Sequence, residues 1–310
     1  MTIALVFPGQ GSQAVGMLSA LAAQESIVTE TFAEASEALG YDLWAVVSED
    51  PEGRLSSTEV TQPALLTAST AIYRVWRQRE MPAPSVMAGH SLGEYSALVA
   101  AEALNFSSAV KLVESRGRFM QEAVPQGQGA MAAILGLDDD VVLAACADVS
   151  AGVVAAVNFN APGQVVIAGD KVSVDAAIER CKEAGARRAL PLPVSVPSHC
   201  ALMLPAAERL QALLGEIEIQ SPTIPVINNV DVKVESEPND IRDALVRQLH
   251  SPVRWVESMR SLGKHGVTRL VECGPGKVLA GLQKRIDRKM AAFATETPDD
   301  LEKFVASDGS

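Results

Sequence analysis

Five residues, Gly89-His90-Ser91-Leu92-Gly93, carry the most specific chemistry in the chain. A G-x-S-x-G run that joins a strand to a helix forms a nucleophile elbow: its glycines allow a sharp turn and leave the serine oxygen exposed. A short apolar segment over residues 85–88 precedes the run, and a helical pattern over 92–103 follows it. A serine so placed attacks an acyl carbonyl and carries the acyl group as an ester. The backbone amide of Leu92, at the helix start, can hold the negative charge that develops on the carbonyl oxygen. Alone, the five-residue pattern also recurs as a plain structural turn; the strand before it and the helix after it favour catalysis.

A serine hydroxyl needs a base, and the chain has four histidines. His90 adjoins the serine, and the elbow turns neighbouring side chains apart, so it reads as a pocket wall. His265 lies in the polar turn Gly263-Lys264-His265-Gly266. His250 ends a helix before Ser251-Pro252, a capping position. His199 follows the proline-rich run over residues 191–197, far enough downstream of the serine for a domain to be inserted between them. Spacing leaves His199 and His250 equally open. No aspartate or glutamate stands out as a third triad member, so a backbone carbonyl could orient the histidine instead.

Arg116 is the most informative charge. In the helical pattern around residues 110–120 it shares a face with Val113 and Met120, whereas Arg118 falls with Lys111, Glu114 and Glu122 on the polar face. A guanidinium on the apolar side needs an anion, because burying it unpaired is costly. Periodicity leaves two uses open: an internal ion pair or snorkelling arginine, and a fixed fork for a substrate carboxylate.

The elements that must position these groups follow from the same patterns. Residues 3–7 read as a buried strand ending in the turn Pro8-Gly9-Gln10-Gly11. Helical patterns then run to about residue 80, clearest over 64–79, and another helix covers 107–123. From about residue 127 the texture changes. Strands at 131–136, 153–157, 164–168 and 188–192, with helices over 138–148 and 172–184, give the β-α-β-β-α-β order of a ferredoxin-like unit. A larger α/β framework resumes near Val194, with helices over 202–214, 241–249 and 255–263, a strand at 269–272 and a helix from 277. The expected organisation is a core of residues 1–126 and 194–310 with a small subdomain, 127–193, inserted into it. The acidic tail beyond residue 297 is expected to fray.

Composition narrows the functional classes. With 310 residues, 48% hydrophobic and 21% charged, the chain has ample material for a large core. A formal charge of −12 argues against nonspecific nucleic-acid binding and against attraction to anionic membranes. Four widely spaced cysteines, Cys146, Cys181, Cys200 and Cys273, form no C-x-x-C pair and suit a reducing compartment. The N-terminus lacks a basic n-region and reads as a first strand, and no run approaches the roughly 18–20 apolar residues of a membrane span. A cytoplasmic protein is expected.

With these residues assembled, the chain resembles the malonyl-CoA:acyl carrier protein transacylases of dissociated (type II) fatty-acid synthesis. The markers run in family order: Phe7-Pro8-Gly9-Gln10-Gly11-Ser12-Gln13, Thr61-Gln62-Pro63-Ala64, Gly89-His90-Ser91-Leu92-Gly93-Glu94, and Arg116-Gly117 with Met120. Asn158-Phe159-Asn160, Pro162-Gly163-Gln164, Pro197-Ser198-His199 and residues 272–276 complete the series. The resemblance implies Ser91 as nucleophile and His199 as general base and acid. It implies an oxyanion hole from the amides of Gln10 and Leu92, and Arg116 as the partner of the malonyl carboxylate. The main-chain carbonyl of Gln248 would orient His199 in place of a triad acid. It also implies an α/β-hydrolase-like core with the ferredoxin-like insertion, the site lying in the cleft between them.

The implied reaction moves malonyl from malonyl-CoA to the pantetheine thiol of acyl carrier protein through malonyl-Ser91, in ping-pong order. No metal or resident cofactor is expected; CoA enters as part of the substrate, and phosphopantetheine arrives on the carrier. A monomer is expected, with neither nucleic acid nor membrane as partner. Because the carrier family is acidic, docking requires local basic patches, and two stand out: Arg187-Arg188, and Lys284-Arg285 with Arg288-Lys289. Two enzyme alternatives share the elbow: a serine hydrolase or thioesterase, and the acyltransferase of a polyketide system or of malonate decarboxylase. Ser198, just before the histidine, leaves tolerance of methylmalonyl groups open.

Overall fold

The computed structural model describes residues 2–150, 152–194 and 196–307; Ser195, within the proline-rich run before His199, lies outside them. Among the described residues nine strands form two sheets: β1 (Ile3–Phe7), β2 (Val86–Gly89), β3 (Gly129–Leu135), β4 (Val154–Ala161), β5 (Gln164–Asp170), β6 (Arg188–Pro191), β7 (Val226–Ile227), β8 (Arg269–Glu272) and β9 (Ala291–Ala294). The larger sheet has the order β7-β2-β1-β8-β9, and every pairing in it is parallel. β1 is buried throughout. Ile3, Leu5 and Phe7 enter the core on one face, and Ala4 and Val6 enter it on the other. Helices cover both faces, as a parallel sheet requires, which is why β1 reads as one unbroken apolar run.

The sheet order also fixes where a ligand can sit. β1 lies at its centre, and the chain proceeds to β2 on one side and to β8 on the other. At such a switch point the loops beyond the strand carboxyl ends diverge and leave a crevice. The turn after β1 carries Gly9 and Gln10, and the turn after β2 carries Ser91.

The smaller sheet is antiparallel, ordered β4-β5-β3-β6. The helices Asp139–Ala147 and Lys171–Glu183 cover one face, packing on Ala132, Ile134, Val165 and Ile167. Met131, Val157, Val166 and Ala168 occupy the other face, together with Cys200. Edge strand β4 is joined to the larger unit by two backbone bonds, Phe159 N–H to the Val253 carbonyl and Val253 N–H to the Val157 carbonyl.

The sequence-based elements match within a few residues, with three exceptions. Strands β7 and β9 were not expected: one has two residues, and the other is mostly alanine, which carries little strand signal. The tail beyond Thr297 does not fray but forms the helix Pro298–Ala306. Its acidic residues, Asp299 and Asp300, stand in the first turn, where negative charge favours a helix, and Thr297 caps it through a bond from Asp300 N–H. Leu301 and Phe304 are fully buried, Phe304 lying 4.9 Å from the Trp76 ring and 5.3 Å from that of Phe293. Among the described residues no helix is long and apolar enough to cross a membrane.

Candidate active site

The Ser91 turn is built by close packing. A Cβ on Gly89 would lie 1.9 Å from the Gly93 carbonyl carbon, and one on Gly93 would lie 2.0 Å from the Phe7 carbonyl oxygen. Only glycine permits this approach of the turn to itself and to β1. Ser91 itself has φ 52°, a left-handed conformation that costs a non-glycine residue about 1–3 kcal/mol. The helix Gly93–Ala100 follows, with Leu92 between them as its N-cap.

His199 is the histidine that meets the serine. Ser91 Oγ and His199 Nε2 are 2.8 Å apart, and His199 Nδ1 lies 2.7 Å from the Gln248 main-chain carbonyl. A carbonyl only accepts, so Nδ1 carries the proton and Nε2 is left to accept from the hydroxyl. The histidine is itself left-handed, at φ 66°, and its N–H donates to the Leu249 carbonyl. Two consecutive carbonyls thus fix both its backbone and its ring. Burial, followed by the nearby Arg116 charge, lowers its pKa to about 3, so the ring is neutral. No carboxylate is needed to orient it. His250, equally open by spacing, is not bonded to Ser91.

Arg116 is 1% exposed and pairs with no carboxylate among the described residues. Its Nη1 donates to Gln62 Oε1 at 2.8 Å, its Nη2 to Gln248 Oε1 at 3.0 Å and to Ser91 Oγ at 3.3 Å. Its guanidinium carbon lies 5.3 Å from the Tyr95 ring centroid. Neutral amide oxygens hold the group in place without cancelling its charge. Burial alone pushes its pKa down from the usual arginine value, and the arrangement suits an incoming anion.

These groups open on one cavity of about 220 Å³, lined also by Gln10, Leu92, His90, Asn160, Met131, Val166, Ser198 and the helix residues Val278, Leu279 and Leu282. Among the described residues, the N–H groups of Gln10 and Leu92 meet no acceptor within the chain. His90 forms part of the wall, its Nε2 2.8 Å from Asn160 Oδ1 and its ring 5.3 Å from that of Trp255. Burial lowers its pKa. The apolar face of the smaller sheet therefore supplies one side of the cavity, and the loops after β1 and β2 supply the other.

Arg187, Arg188 and Arg285 come together around a second hollow beside Gly136 and Pro162, where Arg285 bonds Gln164 Oε1 and the Pro162 carbonyl. Lys284, Arg288 and Lys289 are exposed nearby in sequence but do not line it. All four cysteines are free and buried. No group of three or more potential metal ligands occurs among the described residues.

Three contributors escaped sequence reasoning: the side chain of Gln62, that of Gln248, and Asn229. Gln62 was visible only within a family marker, and Gln248 only through its main-chain carbonyl, the acceptor for His199. Asn229 reaches the Ser91 turn from 138 positions away, a separation no local pattern spans.

Comparison with known proteins gives a consistent result. An acyl transferase domain model matches residues 4–296. The Escherichia coli (strain K12) protein named malonyl CoA-acyl carrier protein transacylase is 61% identical over 296 residues, covering 95% of this chain and 96% of that one. The Bacillus subtilis (strain 168) protein of the same name is 46% identical over 305 residues, covering 98% and 96%. Among solved structures, an acyl carrier protein S-malonyltransferase from Vibrio cholerae O1 biovar eltor superposes with TM-score 0.96 at 59% identity, covering 98% of this chain and all of that one. A malonyl-transacylase in complex with its type II PKS acyl-carrier protein superposes with TM-score 0.98 at 55% identity, covering 99% and 100%. With a G-x-S-x-G serine bonded to a neutral histidine and relatives matched along almost their whole length, this chain belongs to the malonyl CoA-acyl carrier protein transacylase family of acyl transferases.

Proposed function

We propose that the chain transfers malonyl from malonyl-CoA to the pantetheine thiol of acyl carrier protein, supplying extender units for fatty-acid synthesis. The observation that carries this is the convergence of Ser91, His199 and an uncompensated, buried Arg116 on one cavity. A simple esterase site needs the first two; the third is explained by a substrate with a free carboxylate.

In the first half-reaction His199 Nε2 takes the Ser91 proton as Oγ attacks the thioester carbonyl. The N–H groups of Gln10 and Leu92 hold the oxyanion, and Arg116 holds the malonyl carboxylate. Collapse breaks the carbon–sulfur bond, and the proton on Nε2 passes to the departing CoA sulfur. In the second half His199 takes the proton of the carrier thiol, sulfur attacks malonyl-Ser91, and the same amides hold the new oxyanion. The carbon–oxygen bond then breaks and the proton returns to Ser91 Oγ. The Gln248 carbonyl keeps the imidazole aimed throughout, replacing a triad acid. Every group drawn belongs to the chain, to malonyl-CoA or to the carrier thiol, and the steps call on no resident cofactor.

The finer architecture belongs to the same reading: an α/β-hydrolase-like core of residues 1–126 and 194–310, with a ferredoxin-like subdomain at 127–193. The strand–helix order and sheet arrangement of the smaller layer support it. Arg187, Arg188 and Arg285, with Lys284 beside them, are the proposed landing surface for the acidic carrier, supported by the hollow the three arginines share. A cytoplasmic monomer completes the proposal. Use of a polyketide carrier is the second reading, favoured by the solved relative bound to a type II PKS acyl-carrier protein.

Intact-protein mass spectrometry after exposure to malonyl-CoA tests the central claim. A single malonyl adduct should form, be absent from Ser91→Ala, and pass to holo carrier protein faster than it drains to water. Preferential loss to water would instead indicate a thioesterase. Comparing fatty-acid and polyketide carriers as acceptors decides between the two readings.

A further inference from the structure

The strained Ser91 turn is held by side chains that the reaction above does not use. Ser91 N–H donates to Asn229 Oδ1 at 2.7 Å, and Asn229 Nδ2 donates to the Gly89 carbonyl at 2.6 Å. One carboxamide therefore clasps both sides of the turn. The Asn229 N–H donates in its turn to Glu94 Oε2 at 2.9 Å. The same carboxylate oxygen accepts from Gln248 Nε2 at 2.8 Å, and that nitrogen also donates to the Ser91 carbonyl at 3.2 Å. At its other end the Gln248 carboxamide accepts from Arg116. Glu94, Asn229 and Gln248 are all buried.

Two features make this more than a packing detail. Gln248 stands between opposite charges, its oxygen towards the Arg116 guanidinium and its nitrogen towards the Glu94 carboxyl. A direct ion pair between those two would neutralise the cation that awaits the substrate; a neutral amide between them transmits position without cancelling charge. Glu94 is also a costly residue to bury: loss of solvation pushes its pKa up to about 7, although Asn229, Gln248 and the more distant Arg116 favour its charged form.

We propose that Glu94 is a positioning residue for both halves of the site. Through Asn229 it fixes the nucleophile turn, and through Gln248 it fixes Arg116. This rests on the acyl-serine reading and goes beyond it, because neither Glu94 nor Asn229 touches the reacting atoms. Residues that orient metal ligands from the outer shell are typically worth about 10- to 100-fold in activity, and the same scale is expected of these supports.

Rapid-quench loading with malonyl-CoA and with acetyl-CoA, alongside melting curves, separates the roles. Asn229→Ala should slow loading by both thioesters about tenfold or more and leave the malonyl-to-acetyl ratio unchanged. Glu94→Ala should slow both and also lower that ratio. Glu94→Gln keeps an oxygen that can accept the same two bonds and should recover to within about threefold of the parent. Parent-like loading by a folded Asn229→Ala or Glu94→Ala protein would overturn the proposal, as would a Glu94→Gln protein no faster than Glu94→Ala. Should Glu94→Ala fail to fold, the Asn229→Ala ratio and the Glu94→Gln rate still decide. Absence of any adduct on the parent protein would instead refute the acyl-serine reading itself.

Discussion

Replacing Arg116 by alanine tests the selectivity argument most directly. In the intact protein the guanidinium is 1% exposed and held by two neutral oxygens, at 2.8 Å and 3.0 Å. A malonyl carboxylate bound there is buried, so deleting the arginine removes its partner and leaves an uncompensated charge. Breaking such a pair costs about 3–5 kcal/mol, which corresponds to roughly 150- to 5,000-fold in malonyl loading. Acetyl has no carboxylate to strand, and its loading should change by no more than about tenfold. Arg116→Lys keeps the charge but loses the planar fork, and should fall between the two. The assay is single-turnover formation of acyl-Ser91 from malonyl-CoA and acetyl-CoA, quenched and resolved by intact mass. An unchanged malonyl-to-acetyl ratio in a folded Arg116→Ala protein would refute the reasoning, and the buried cation would then be structural.

Further outcomes follow from the other groups. Because His199 is held near 3, its inactive protonated form accumulates only as pH falls towards that value. Loading should therefore stay level from pH 8 to about 5.5, without the midpoint near 6.5 of a free imidazole. Repeating the profile in Glu94→Gln removes the carboxyl near 7, and a midpoint near 6.5 in both proteins would contradict this assignment. Glu94 binds a proton in the folded state that an unfolded carboxyl releases near 4.5, so its stabilising contribution is complete below 4.5 and is lost as pH rises through 7. Glu94→Gln should consequently melt higher than the parent at pH 8 but not at pH 4.5, with an upper bound of about 3 kcal/mol; equal differences at both pH values would count against it. Charge reversal at Arg188 and Arg285 should raise the KM for carrier protein and leave loading from malonyl-CoA intact. Steady-state kinetics with holo carrier as the varied substrate reads this, and equal loss of both half-reactions would point away from docking.

The local geometry of the site was legible in the sequence wherever it is encoded within a few residues. The Ser91 elbow is such a case: the close approach of Gly89, Gly93 and Phe7 demands glycine at fixed spacing, and the demand is written in the motif itself. The apolar run of β1, the periodicity that set Arg116 inward and the strand–helix order of residues 127–193 are likewise local consequences of burial. Tertiary structure decided what periodicity could not. It placed His199, not His250, against Ser91, with the Gln248 and Leu249 carbonyls both accepting from the former. It decided that Arg116 is steadied by Gln62 and Gln248 rather than paired with an acid. It also brought Asn229 to the Ser91 turn through the pairing of β7 with β2. Such contacts join segments from 49 to 138 residues apart, and their geometry depends on sheet order and register. Those emerge only when the whole core packs at once.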